Sequence, residues 1–284
     1  MKEKVHTKSF VASCLALLVL IPVMALLLSA CAAEDSTLRV CLLDVGQSEA
    51  ILLSQGDQHM LIDTGSALAR DDLLGEIGAL DVGEFAYLLL THPHEDHVGN
   101  ARAVIEKYHV AQLMTSGAES TDGAYRLALD AAAEYDCPQN VLKKGDSFLL
   151  GNAACEVLLA EGVEGNNGSI VLRVTFGNTV LLFMSDAEAQ AEGALLYLYG
   201  AEYLNCDFLK VGHHGSATAT TTPFLEATTP LFAAISCGTD NAYAFPHKET
   251  LSRLAAVGAA VDRTDLSGTL VYISNGTEIR RIKE

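Results

Sequence analysis

The sequence predicts an α/β fold in which two β-sheets pack face to face between outer layers of helix, a four-layer αββα sandwich. Two observations carry that expectation. The chain divides into two halves, each supplying several short apolar strands and helices with one apolar face. No Pro-, Gly- or Ser-rich linker interrupts it after Ser36. With 284 residues, half of them apolar, it is long enough for one large core.

In the first half, residues 38–44, 50–54 and 59–63 read as three short strands, separated by Gly46 and by the Gln55-Gly56-Asp57-Gln58 turn, an antiparallel start. Residues 68–80 place Leu68, Leu73, Leu74, Ile77 and Leu80 at helical spacing, weakened by Gly75 and Gly78. Residues 85–90 are expected as one buried strand, 98–108 as helix and 111–115 as strand. A helix over 122–135 follows, with Pro138 beyond it. The second half repeats the recipe. Strands come from 149–159 and 169–184, the latter folded at Phe176-Gly177-Asn178-Thr179. A helix over 187–199 has Ser185 or Asp186 as its N-cap candidate. Then come a strand (206–211), a short helix with Pro223 near its start (222–227), a strand (231–236), a helix (248–257) and two final strands (269–274 and 277–282).

The densest chemistry lies in Leu90-Thr91-His92-Pro93-His94-Glu95-Asp96-His97-Val98-Gly99, which packs three imidazoles and a ligating carboxylate into six positions straight after an apolar run. That pattern predicts a metal site. His92 and His94, two apart in an extended segment, project to one side. Asp96 and His97 fall where a helix begins and aim at a second point, and paired metals in hydrolytic sites sit about 3.5–4 Å apart. Pro93 stiffens the loop. A solvated histidine-rich loop is the bland alternative, and four ligand-type residues in six speak against it. Other candidates are plainer by themselves: Asp63 before Thr64-Gly65 reads equally as an Asx turn, and Asp186 as a helix cap.

The spacing His92-x-His94-x-Asp96-His97 resembles the signature of the metallo-β-lactamase fold superfamily. Leu43-Asp44-Val45-Gly46-Gln47, Leu61-Ile62-Asp63-Thr64-Gly65, Leu209-Lys210-Val211-Gly212-His213-His214-Gly215-Ser216 and Phe245-Pro246-His247 resemble the hydrolase domain of the ComEC family of competence proteins. This resemblance runs from about residue 38 to the C-terminus and implies the same αββα sandwich. It implies one or two divalent metals, Zn or Mn, held by His92, His94, Asp96, His97, Asp186, His213 and His214. Asp186 would bridge them, while one of His213 and His214 completes the second metal's shell and the other meets the attacking water or the substrate phosphate. Catalytic roles are implied for Asp63, orienting a ligand or water, for Asp96, and for His247, protonating a leaving alkoxide. Asn167, Ser169 and Ser216 are implied as substrate contacts.

The chain departs from the fuller superfamily pattern in two places. No lone histidine suited to the first metal stands between His97 and Asp186; His109 ends a predicted helix, and Asn166-Asn167-Gly168-Ser169 lies where that imidazole would fall. The first metal is then expected to keep His92, His94 and Asp186 with solvent or an amide oxygen, which makes Mn plausible there. Gln47-Ser48-Glu49 replaces Gln-Gly-Asp and is expected to touch no ligand.

The implied activity is hydrolysis of a phosphodiester by hydroxide generated at neutral pH. DNA is one candidate substrate; alternatives are another ester, a lactam or phosphocholine substrate, or a non-catalytic metal-binding lipoprotein. The formal net charge of −18 repels polyanions, so no stable nucleic-acid complex is expected. Residues 1–30 read as a lipoprotein signal peptide, with Lys2, Lys4 and Lys8 before the apolar run 10–28, and 31–37 as a short tether to a metallo-hydrolase domain over 38–284. Leu28-Ser29-Ala30-Cys31 resembles a lipobox that would anchor Cys31 to the outer face of a membrane; an uncleaved spanning helix is the alternative. Removal of residues 1–30 takes away three lysines and one glutamate and leaves a net charge of −20. Cys41, Cys137, Cys155, Cys206 and Cys237 show no Cys-x-x-Cys spacing and are expected as buried free thiols.

Overall fold

The structure is a computed structural model that describes residues 36–283. The expected signal peptide, Cys31 and most of the expected tether lie outside the described residues. The first half comprises β1 (Leu38–Leu42), β2 (Ile51–Gln55), β3 (Gln58–Ile62), α1 (Arg70–Ala79), β4 (Glu84–Phe85), β5 (Tyr87–Leu90), α2 (Glu95–Val98), α3 (Ala101–Lys107), β6 (His109–Val110), β7 (Leu113–Thr115), α4 (Gly123–Glu134) and β8 (Gln139–Val141). The second half comprises β9 (Ser147–Leu150), β10 (Ala153–Leu159), β11 (Val171–Phe176), β12 (Thr179–Phe183), α5 (Ala189–Leu204), β13 (Phe208–Lys210), α6 (Thr222–Thr228), β14 (Phe232–Ile235), α7 (Lys248–Ala256), β15 (Ala260–Arg263) and α8 (Thr264–Ser267). The chain then returns as β16 (Leu270–Ser274) and β17 (Ile279–Ile282) to the sheet it began in.

One sheet runs β17-β16-β1-β2-β3-β5-β7-β8 and the other β15-β14-β13-β12-β11-β10-β9. Between them lies a shared core that includes Leu42, Leu53, Leu172, Phe183, Phe208 and Tyr272. The Phe208 and Tyr272 rings meet edge to face at 4.9 Å, and the Tyr272 hydroxyl donates to Asp262 Oδ2 at 2.6 Å. Two further cores seat the helices: Leu73, Val104 and Ala128 cover the first sheet, and Leu195, Phe224 and Leu254 the second. Burying a large apolar side chain completely contributes about 1.5–3 kcal/mol. The αββα sandwich expected from the sequence is therefore present, and the five described cysteines are buried.

Each sheet is part antiparallel and part parallel. The neighbours β3-β5-β7-β8 and β12-β13-β14-β15 are parallel, joined mostly by helical crossovers. Loops leaving the carboxyl ends of parallel strands are where open α/β sheets bind ligands, and here both sheets direct such loops to a common place.

Several elements differ from the sequence expectation. Residues 85–90 are not one strand: Ala86 separates β4, which pairs with β6 in a separate ribbon, from β5 in the main sheet. The helix expected over 98–108 is two, broken at Gly99-Asn100, where the chain passes so close to a neighbouring loop that a Cβ on Gly99 would lie 2.3 Å from Ala67 N. Leu68 precedes its helix in a 3-10 turn and is 99% exposed rather than core. Residues 149–159 form a hairpin with a Gly151-Asn152 turn, and β8 and β15 have no counterpart in the sequence expectation. Neither Ser185 nor Asp186 caps α5; Glu188 holds that position without a side-chain cap bond.

Candidate metal centre

Four strand-end loops build the site. β3 ends in Asp63, β5 in Thr91 and His92, β12 in Ser185 and Asp186, and β13 in the turn Gly212–Gly215. Asp63, Ser185, His213 and His214 all adopt left-handed backbone, with φ of 59°, 48°, 45° and 50°. This conformation costs about 1–2 kcal/mol per residue in an L-amino acid, and its recurrence at one place marks a site over-determined by its surroundings. Two cross-sheet contacts and one within the second sheet fix the loops together: Thr91 and Ser185 hydroxyls lie 2.7 Å apart, Ile170 N donates to Thr91 O at 3.0 Å, and His213 N donates to Ser185 O at 2.9 Å.

Asp186 is central and 2% exposed. Its Oδ1 faces Nε2 of His97 at 3.3 Å and of His214 at 3.6 Å, while Oδ2 faces Nε2 of His92 at 3.8 Å and of His213 at 3.7 Å. Asp96 Oδ2 stands 3.5 Å from His214 Nε2 and 4.0 Å from His97 Nε2. Two groups of three donor atoms result, His92/His94/Asp186 and Asp96/His97/His214, each within 4.8 Å of one another. Nε2 of His92, His97 and His214 and Oδ1 of Asp186 are buried and carry no hydrogen bond among the described residues. Leaving a buried polar atom unsatisfied costs about 1–3 kcal/mol, and four that converge, all with lone pairs when the imidazoles are neutral, fit divalent cations.

Outer contacts aim the imidazoles. His97 Nδ1 donates to Asp63 Oδ2 at 2.7 Å, and His214 Nδ1 donates to the Ser236 carbonyl at 2.9 Å, which leaves each Nε2 lone pair turned inward. Thr91 secures Asp63, donating from N to Oδ1 at 2.9 Å and from its hydroxyl to Oδ2 at 2.7 Å. Burial opposes charge on Asp186 and Asp96, yet the neighbouring histidines outweigh it and hold both well below the ordinary carboxylate range. Burial also opposes protonation of His97, but Asp186 and Asp63 raise it well above its usual value; burial and the neighbouring His97 push His92 down.

All seven expected metal-site residues come together. Asp63, fully buried with both oxygens bonded, positions the ligand candidate His97. Other residues make contacts that differ from those expected of them. Asn167 Oδ1 accepts from Glu188 N and Ala191 N, both at 3.1 Å, and so secures the start of α5. Ser216 is 3% exposed and bonds Thr218 at 2.8 Å, shaping its own loop. Ser169 is 1% exposed with its hydroxyl unbonded among the described residues. His247 Nδ1 accepts from Ala217 N at 2.9 Å, so this ring tethers the 216–218 loop; it also packs against Phe245, at 5.0 Å between ring centroids.

Two contributors went unrecognised in the sequence. Glu49, expected to touch no ligand, pairs with Lys210 where both are almost completely buried, and it lies in a cluster with Asp63 and His97. A lone lysine between Leu209 and Val211 in an apolar strand was the available signal, since a buried cation needs a partner. Glu188 Oε1 accepts from His213 Nδ1 at 2.9 Å; a glutamate opening a helix is too ordinary to stand out.

Beside the centre opens a cavity of about 730 Å³ whose walls include His94, Asp96, Asp72, Asp122, Leu68 and Tyr243. No lysine or arginine lines it among the described residues.

A histidine–aspartate centre at the meeting of two sheets defines a class, and residues 43–238 match the metallo-beta-lactamase superfamily: the chain belongs to that superfamily, whose members are metal-dependent hydrolases. Within it the chain is related to competence proteins. It is 29% identical over 254 residues to ComE operon protein 3 of Bacillus subtilis (strain 168), covering 82% of this chain and 32% of that protein. It is 30% identical over 242 residues to Competence protein ComA of Neisseria gonorrhoeae, covering 85% of this chain and 33% of that protein. The chain thus spans about a third of the length of these relatives. Among solved structures, the metallo-beta-lactamase fold protein YhfI of Bacillus subtilis aligns with a TM-score of 0.58 at 12% identity, covering 84% of this chain and 99% of that one. The diiron β-hydroxylase CmlA of Streptomyces venezuelae aligns at 0.54 and 14% identity, covering 87% and 54%. These two likenesses concern the fold alone.

Proposed function

We propose that this protein is a metal-dependent phosphodiesterase. The observation that carries the reading is Asp186, whose two oxygens each face a different group of imidazoles, an arrangement suited to two adjacent cations of the kind that clamp a phosphoryl group. Bound divalent cations supply Lewis acidity, acidifying water and neutralising charge that builds on phosphoryl oxygens. The chain's own groups do the rest. Asp63 and the Ser236 carbonyl hold His97 and His214 in the required tautomer, and the buried strand ends keep the donors from relaxing.

Relatives named for competence and recombination support a nucleic-acid diester. The acidic cavity and the net charge of −18 favour short diesters over a long strand, with the cations as the local positive charge. The resemblance of Leu28-Ser29-Ala30-Cys31 to a lipobox supports a membrane-anchored enzyme outside the cytoplasm.

The test is a substrate panel of bis-p-nitrophenyl phosphate, single-stranded DNA, a phosphocholine ester and nitrocefin, each with Zn²⁺ and with Mn²⁺. Hydrolysis of the first, with the dinuclear metal content measured in parallel, is expected; turnover of nitrocefin alone would replace the reading with a lactamase. Labelled lipid incorporated by the wild type and lost in Cys31→Ser tests the anchor.

A further inference from the structure

The first metal position poses a problem: it has His92, His94 and Asp186, and no separate histidine between His97 and Asp186 to complete it. We propose that His213 supplies the missing nitrogen at that position, and that Glu188 is the positioning residue that holds it there. The proposal rests on the reading of the centre as a metal site.

Three observations carry it. First, His213 Nε2 stands 3.7 Å from Asp186 Oδ2, the oxygen that His92 Nε2 faces at 3.8 Å, while His214 Nε2 stands 3.6 Å from Oδ1, the oxygen of His97. The adjacent histidines thus divide between the two sides of the bridging carboxylate. Secondly, consecutive left-handed residues, φ 45° and 50°, splay the two rings, whose planes are 64° apart and centroids 6.2 Å apart. An ordinary extended pair could not turn both rings toward one carboxylate, since alternate side chains point to opposite faces.

Thirdly, His213 has its own carboxylate. Its Nδ1 donates to Glu188 Oε1 at 2.9 Å, and the same oxygen accepts from Thr218 Oγ1 at 2.8 Å and Asn166 Nδ2 at 3.2 Å. With its proton pinned to Nδ1, His213 presents a lone pair at Nε2, the same outer arrangement that Asp63 gives His97. Asn166, in the segment where that lone histidine would fall, donates from Nδ2 to Glu188 and lies 3.3 Å from His213 Nδ1 itself.

The alternative role for His213, hydrogen-bonding the attacking water or the substrate, predicts a different result. Asparagine tolerates left-handed backbone, so His213→Asn is the variant of choice, with Glu188→Ala and Glu188→Gln as companions. Each purified protein is equilibrated with Mn²⁺ or Zn²⁺, dialysed against a weak chelator and assayed for metal per chain, and circular dichroism checks that it is folded. His213→Asn is expected to lose about one of the two metal equivalents that wild type retains. Glu188→Ala should weaken metal retention by about 10–100-fold, with Glu188→Gln intermediate because its amide oxygen still accepts. A folded His213→Asn protein that retains the wild-type metal complement and affinity, even with activity lost, overturns the proposal while leaving the phosphodiesterase reading intact. Wild type that holds no metal overturns both.

Discussion

Lys210 shows how much a single residue can matter beneath a site it never enters. Its ammonium is fully buried, donates to the Val211 carbonyl at 2.9 Å and pairs with Glu49, which is 1% exposed. Removing one member strands a buried charge, and breaking such a pair costs about 3–5 kcal/mol. Lys210→Met is therefore expected to lower unfolding free energy by that amount in urea titrations, and adding Glu49→Leu should restore most of it. A single variant as stable as wild type would show that the two groups do not depend on each other for charge. Asp96, the more exposed of the central carboxylates, faces the centre itself, so Asp96→Ala should lose metal retention and hydrolysis together. Retention of both by that variant would remove it from the ligand set. The histidines and aspartates of the centre were legible because imidazoles and a carboxylate crowded into six positions seldom serve anything but a cation. Glu188 and the contacts made by Asn167 were not, since what they touch is set by chain segments some twenty residues away.

At the scale of elements, the turn after β13 is the most constrained piece of the site. Gly215 sits at φ 83°, its carbonyl accepts from His247 N at 3.0 Å, and a Cβ there would lie 2.5 Å from Pro246 Cβ. Gly215→Ala must therefore separate this turn from the 245–247 segment and displace His213 and His214. The expected outcome is a loss of at least about 1–2 kcal/mol from the left-handed backbone alone, together with weaker metal retention, read by thermal unfolding with and without Mn²⁺. Equal stabilisation of variant and wild type by the ion would contradict the coupling. Helix existence was well signalled here: the helix expected over 122–135 is α4, which begins where Asp122 accepts from Ala124 N and Tyr125 N. Boundaries were less so. The 85–90 run reads as continuous because a chain's hydrophobicity does not record which partner strand each part finds, and Ala86 divides two pairings.

The whole molecule sets the electrostatic context. With a net charge of −18 and carboxylates along the cavity, approach of a long polyanion is opposed at low ionic strength, where the Debye length is about 30 Å at 0.01 M against about 8 Å at 0.15 M. Hydrolysis of long single-stranded DNA is therefore expected to accelerate as salt rises across that range, while bis-p-nitrophenyl phosphate, with one charge, changes little. A rate on DNA that falls with salt would mean a basic path outside the cavity. Composition alone determined the sign of this field, and the order of apolar segments determined a two-sheet sandwich, because both depend on residue type and local period. The motif spacing likewise determined that metal-ligand chemistry belongs here. Only the tertiary structure decided which oxygen of Asp186 each imidazole faces, that Lys210 and Glu49 meet, and that neighbouring histidines part to opposite sides. Those are distances between strand ends brought together by packing two sheets, and no local pattern encodes a distance across a core.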